Sequence, residues 1–219
     1  MKTVPMIFNT EMVTALLNGS KAVTRRPIRI PDGWELYDSK LSKITSSHPK
    51  KGKWGALVRR GVGTDFPQCD LVTAPCFIGD LIWVRETFAT LHPGQDYEEI
   101  SPWEVGCQEV RYKASEPTGL ANEKDHEIRG YKWRPSIHMP KHCSRLTLRV
   151  TDVRIEKLKD LRGNPEQVQK EGFRNWPMFK HTWRSIYGTC EPNDHVWAIE
   201  FEVIEKNVDK LTSCIDEAA

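Results

Sequence analysis

Along this chain, apolar residues alternate with polar ones more often than they recur at helical spacing. The clearest run is SRLTLRVTDVRIEKL, where Leu146, Leu148 and Val150 share one side and, with Val153 and Ile155, face a core. Arg145, Thr147 and Arg149 fall on the outward side of the strand this pattern predicts. GDLIWVRETFA, Gly79 to Ala89, predicts a turn and then a strand, with Ile82, Val84 and Glu86 on one face and Leu81, Trp83, Arg85 and Thr87 on the other. Neither face is cleanly apolar, so something polar is buried there or used. WGALVRRG, EVRYKA and HVWAIEFEVIEK read as further strands, the last spreading Val196, Ala198 and Phe201 over both faces.

Three helices interrupt this pattern. Thr10 is placed to cap a helix from Glu11 to Asn18, with Met12, Leu16 and Leu17 as its apolar side and Gly19 as its stop. NPEQVQKEGF has Asn164 as cap and Pro165 at the first helical position. Trp176 to Tyr187 carries Met178, Phe179, Trp183, Ile186 and Tyr187 as a buried stripe. Residues 31–75 and 91–132 are irregular in pattern and read as insertions or loops over one face. The expected organisation is one domain over 1–206 with those two insertions, then a flexible tail over 207–219. The expected fold class is mainly β with α (α+β): a small, mostly antiparallel or mixed β-barrel with peripheral helices and long loop insertions.

Composition narrows the function classes. The chain has 219 residues, 38% hydrophobic and 28% charged, which suits a globular domain with a real core. Its net charge of +2 means that any nucleic-acid surface must come from local segregation of charge. The first residues lack a leader's apolar core, and no stretch approaches the roughly 20 apolar residues of a membrane span. A soluble cytoplasmic monomer, with no membrane partner, is expected. The six cysteines are then expected to stay reduced. Neither CDLVTAPC nor HMPKHC has the spacing of a strong metal site, so no metal and no cofactor are expected.

Charge is segregated in two places. After Gly19 come Lys21, Thr24, Arg25, Arg26 and Arg29, with no acid between Glu11 and Asp32. Lys21 and Thr24 align if this segment is a helical turn and oppose each other if it is extended. The run suits a polyanion or nucleotide site, or else a solvated basic loop paired with acids such as Glu86, Glu98 or Glu99. RGYKWRPSIHMPKHCSR interleaves Tyr131 and Trp133 with Arg129, Lys132, Arg134, Lys141 and Arg145, as single-stranded nucleic acid is held, or else Trp133 and Ile137 simply fill a core. Glu86 and Glu171 are the acids placed to orient a water or move a proton near these cations, with a structural salt bridge as the alternative.

Five segments carry a family likeness: LLNGSKAVTRRP, GDLIWVRETF, WRPSIHMPKHCSRLTLRVTDVR, KEGF and YGTCEPNDHVWAIEFEV. Through them the chain resembles the ASCH-domain proteins of the PUA-like superfamily, most closely the longer phage and prophage versions. The most specific elements are the Gly-x-Lys-x-x-Thr-x-Arg pattern from Gly19 to Arg26 and the Gly-Asp-x-x-Trp-Val-Arg-Glu strand from Gly79 to Glu86. The resemblance implies a PUA-like barrel with a cleft holding Lys21, Thr24 and Glu171. It also implies RNA or nucleotide binding. The two basic clusters and the polar face of the Gly79–Ala89 strand make Arg25, Arg26, Trp83, Arg85, Glu86, Trp133, Arg134, Lys141 and Arg145 the expected ligand contacts. A small bacterial branch of the family hydrolyses the acetamide of N4-acetylcytidine with a lysine, a threonine and a glutamate. On that pattern Thr24 is the nucleophile, Lys21 its base and Glu171 the proton carrier, and the partner is RNA or a modified nucleoside. This sequence departs from that branch in its two long insertions. A third reading is a phage protein that binds and modulates a host protein through its basic face.

Overall fold

The computed structural model describes residues 1–64, 67–93, 98–104, 109–116 and 126–216, leaving aside the side chains of residues 126 and 214–216. The first elements are β1 (Thr3–Ile7), α1 (Thr10–Leu17), β2 (Val23–Pro27), β3 (Glu35–Lys43), β4 (Trp54–Arg60) and β5 (Gln68–Thr73). Next come β6 (Leu81–Arg85), β7 (Phe88–Leu91), β8 (Glu109–Tyr112), α2 (His126–Arg129) and β9 (Thr147–Lys157). The chain closes with α3 (Leu158–Arg162), α4 (Pro165–Lys170), α5 (Trp176–Tyr187), β10 (His195–Ile204) and α6 (Val208–Asp216). Two compact units share the chain: Met1–Gly19, Leu81–Arg149 and Val203–Ala219 make the first, and Ser20–Asp80 with Val150–Glu202 the second.

In the first unit β1 runs parallel to β6, with Thr3 opposite Leu81 and Ile7 opposite Arg85. The start of β9 pairs antiparallel with β6 through Leu81–Arg149, Ile82–Leu148 and Trp83–Thr147. Val4, Phe8, Leu16, Ile82, Val84, Leu146 and Leu148 are buried around this sheet. In the second unit β2 pairs antiparallel with β10, Thr24 opposite Ile199 and Arg25 opposite Ala198. Val23, Val150, Val153, Ile155, Val196, Phe179 and Trp183 are buried there.

The expected PUA-like β-barrel is not what forms. The strand order β1-β6-β9-β10-β2 makes an open sheet, β3-β4-β5 and β7-β8 make two more, and none closes among the described residues. The fold is a mixed α+β one with several sheets. Alternation identifies a strand and its inner face, but a barrel also requires the first and last strands to pair. Here β1 and β2 are edges, and β2 ends in Pro27, a residue suited to an edge because it donates no ladder hydrogen bond.

Smaller departures have local causes. The cap of α1 is Asn9, not Thr10: its side chain accepts from Met12 N–H at 2.8 Å, and Val13, Ala15 and Leu16 are the buried residues. Residues 31–75 contain the antiparallel sheet β3-β4-β5, whose outer strands read as irregular because they are largely polar. Along α5 the buried face is Phe179, Thr182 and Trp183, while Met178 and Ile186 are about half exposed at 50% and 45%. Thr147, read as outward, is buried and donates to Lys206 C=O at 2.7 Å. Within 207–219, residues Val208–Asp216 form α6, with Val208 buried, and 217–219 lie outside the described residues. So do 94–97, 105–108 (with Cys107) and 117–125 of the second expected insertion. No helix among the described residues is long and apolar enough to cross a membrane.

Candidate functional site

The KEGF segment fixes Glu171 by helix-end chemistry. Asn164 caps α4 by accepting from Gln167 N–H at 3.1 Å, and Pro165 opens the helix. At the other end Gly172 takes a positive φ of 86°, Gly172 N–H donates to Gln169 C=O, and Phe173 N–H donates to Val168 C=O. That double closure, available at low cost only to glycine, leaves Glu171 at the cap with its carboxylate turned to Lys21. Lys21 bridges to Glu171 through the backbone, and Ala22 N–H donates to Lys170 C=O at 2.8 Å. The next residues enter β2, so the Lys21–Thr24 segment is extended rather than helical.

Lys21 Nζ donates to Glu171 Oε2 at 2.7 Å, to Glu171 C=O at 2.8 Å and to Val23 C=O at 2.8 Å. An ammonium has three hydrogens, and all three are used, none on Thr24. The side chain is fully buried, and burial pulls its pKa below the usual lysine range. Glu171 opposes that shift, whereas Arg26 and Arg25 add to it. Three acceptors, two of them backbone carbonyls, match the charged form; a neutral amine would leave one of the three without a donor.

Arg25 closes the other side of Glu171. Its Nη1 meets Glu171 Oε1 at 3.1 Å, its Nε and Nη2 share Glu156 Oε2 at 2.9 and 2.7 Å, and Nη2 also reaches Gln167 Oε1 at 3.0 Å. Arg154 continues the network to Glu156 Oε1 at 2.5 Å, Asp152 at 2.8 Å and Glu200 at 2.6 Å. Sequence reasoning missed Glu156, Arg154 and Gln167. The signal was there for the first two, because Arg154 and Glu156 alternate with the buried Val153 and Ile155 along β9. Thr24 is buried on β2, next along the strand to Arg25 and so on its opposite face.

Arg26 points elsewhere. Half-buried, it donates to the Tyr187 hydroxyl at 3.2 Å. Tyr187 belongs to an open cavity of about 580 Å³ lined by Pro27 to Ile30, Trp183, Ile186, Thr189, Asn193, Asp194 and His195. Arg29 is exposed on its wall, and Trp183 and Tyr187 lie with ring centres 4.5 Å apart. His195 is held below its usual pKa by burial first and by Lys157 second, which favours the neutral ring. A second cavity of about 530 Å³ is lined by Ser20, Lys170, Gly172 and Phe173, the chain neighbours of Lys21 and Glu171.

The remaining expected residues lie in the first unit. Glu86 is buried at the end of β6, and Arg145 grips both its oxygens at 2.9 Å from Nε and Nη2. Burial raises the Glu86 pKa, against the pull of Arg145. Arg145 also lies 4.1 Å over the Tyr112 ring and donates to Ser115 Oγ at 2.7 Å. Arg85 stacks on Trp83 at 5.5 Å and donates to Ser136 C=O at 3.1 Å. Trp133 meets Tyr131 edge-on, with Arg129 5.2 Å from its ring. Arg134 faces Glu99 at 3.5 Å, and Lys141 pairs with Asp209 at 2.5 Å. Thus Lys21, Thr24, Arg25, Arg26 and Glu171 fall in one unit, and Trp83, Arg85, Glu86, Trp133, Arg134, Lys141 and Arg145 in the other.

Among the described residues no three His, Cys, Asp or Glu side chains are grouped to hold a metal ion, and Cys69, Cys76, Cys143 and Cys190 are not joined in disulfides. Compared with family models, curated proteins and solved structures, the chain finds no match in any of the three.

Proposed function

We propose that this protein binds RNA or a nucleotide, with its ligand in the cavity lined by Pro27 to Ile30 at the end of β2. The observation that carries this reading is the cavity itself. Its volume of about 580 Å³ falls within the size range of small-molecule sites, and it combines exposed Arg29 with Tyr187, Asn193 and His195. A guanidinium suits phosphate, a phenol ring offers a stacking face, and amide and neutral imidazole groups can read a base edge. The resemblance to ASCH-domain proteins points to the same ligand class. In this reading Lys21 and Arg25, spent on Glu171 and Glu156, hold β2 in place behind the ligand, while Arg26 orients Tyr187.

Binding isotherms for short single-stranded RNA and for mononucleotides, taken at several salt concentrations, test it. Affinity for RNA should fall with a log–log slope of about −0.7 per contacted phosphate. Arg29→Ala and Tyr187→Ala should weaken mononucleotide binding. No detectable affinity at low salt removes the reading.

Amidohydrolysis of N4-acetylcytidine or a similar acylated nucleoside is the second reading, favoured by the burial of Lys21, Thr24 and Glu171 and the direct Lys21–Glu171 bond. For Lys21 to take the Thr24 proton, it must first give up a proton and one of its three acceptors. Release of cytidine by wild type, and its loss in K21A, T24A and E171A with the fold retained, would support this chemistry. Absence of turnover in the wild type between roughly pH 6 and 10 would end it.

A further inference from the structure

The β3–β4 hairpin, outside the cavity, concentrates positive charge. Residues 31–64 hold seven cations (Lys40, Lys43, Lys50, Lys51, Lys53, Arg59 and Arg60) against three acids (Asp32, Glu35 and Asp38), in a chain whose net charge is only +2. Three of those cations are occupied: Arg59 pairs with Glu35 at 2.8 Å, Arg60 Nε donates to Gln68 Oε1 at 2.7 Å, and Lys50 meets both oxygens of Asp70 at 2.8 Å and Leu71 C=O at 2.7 Å. The Lys50 contacts tie the hairpin tip to β5 and neutralise the acid beside it. Gly52, at φ 80°, completes the turn by donating to Ile44 C=O at 2.7 Å.

Lys43, Lys51 and Lys53 are left exposed around this fixed tip, with no acid paired to them among the described residues. Lys43 lies opposite Trp54 in the strand register, 5.7 Å from its ring, and Phe77 covers Trp54 in a parallel stack at 4.7 Å. With its neighbours occupied in this way, the indole acts as a base for the lysine rather than as a platform for a nucleobase. No large hydrophobic side chain between Lys43 and Trp54 is exposed, so the tip has nothing to insert into a bilayer.

We infer that the tip formed by Lys43, Lys51 and Lys53 is a second polynucleotide contact, holding the phosphodiester backbone of a single strand without reading its bases. Point charges on flexible stems suit phosphates and position a strand without specifying its sequence. The inference goes beyond the cavity reading, because a mononucleotide is too small to need the tip.

The test is the triple variant K43Q/K51Q/K53Q, with its thermal transition checked against wild type. It is titrated with a 16-nucleotide single-stranded RNA, the DNA of the same sequence, a mononucleotide, and phosphatidylserine vesicles. The expected result is a salt slope for both 16-mers shallower by about 2, at roughly 0.7 per lost phosphate contact, with mononucleotide binding unchanged. The cavity and the tip separate cleanly: Arg29→Ala should weaken mononucleotide binding and leave the lysine-dependent part of the slope. If wild type binds the 16-mer but no mononucleotide, and the triple variant still flattens the slope, the cavity reading fails and the tip stands. An unchanged slope and affinity in the triple variant would overturn the inference. So would lysine-dependent binding to the vesicles alone, which would make the tip a membrane contact.

Discussion

Lys21 and Glu171 show how a buried charge is tolerated when every hydrogen has an acceptor. Removing either partner is not equivalent. Glu171→Ala leaves a buried ammonium with only two carbonyls, and breaking a buried pair in this way costs about 3–5 kcal/mol. Lys21→Met leaves Glu171 still held by Arg25, so its cost should be smaller. Urea-denaturation midpoints of the two variants should fall in that order; the reverse order would mean that Arg25 does not hold Glu171. Glu86 makes a pH prediction. Its folded pKa is raised, so the folded chain holds the proton more tightly than the unfolded one. Stability contributed by Glu86 therefore falls as pH rises from about 4.3 through the raised pKa. Measured against E86Q, wild type should be relatively more stable at the acid end of that window, and a pH-independent gap would contradict the assignment.

Among the elements, those written locally were legible. Asn164, Pro165 and the KEGF stop give α4 to within a residue, and Asn175 accepting from Met178 N–H at 3.1 Å opens α5 where the stripe begins. The miss at α1 was one of competing caps, since Asn9 and Thr10 are both good candidates and only the hydrogen bond distinguishes them. Asn9→Ala should cost about 1 kcal/mol, whereas Thr10→Ala should stay within about 0.5 kcal/mol. Thermal melts of the two variants decide between them, and a larger loss for Thr10→Ala would restore the other cap. Strands were legible where one face is apolar, as in β9, and not where charge dominates, as in β3 with Glu35, Asp38, Lys40 and Lys43. For the candidate site, the sequence supplied Lys21, Arg25 and Glu171 but not their closing partner Glu156, because a carboxylate on a strand looks the same whether it faces water or a buried arginine.

For the whole molecule, closure was the illegible part. Nothing in the alternation of β1 or β2 says that they remain edges; that is settled by pairings such as Thr3–Leu81 and Val196–Pro27, which join residues far apart in sequence. Both units are assembled from separate stretches, so neither is a contiguous piece that could be cut out. A chain ending at Arg149 keeps β2 but loses β10, Glu156 and Glu171. In it the amides of Ala22 and Ile28, which donate to Lys170 C=O and His195 C=O at 2.8 and 2.9 Å, should exchange with solvent as in a free chain. Protection retained at those amides would show that β2 has another partner.

The separation of 150 positions between Lys21 and Glu171 also has a meaning in time. At about 5–20 residues per second, a ribosome needs roughly 8–30 s to make Glu171 after Lys21. Throughout that interval the newborn chain carries Val23 uncovered and a lysine whose carboxylate partner has not been made. The hairpin of β3 and β4, whose contacts are short-range, can form meanwhile. The order of synthesis therefore leaves the most buried charge of the second unit among the last of its groups to be matched, and this waiting strand is where nascent chains would be most prone to pair with one another.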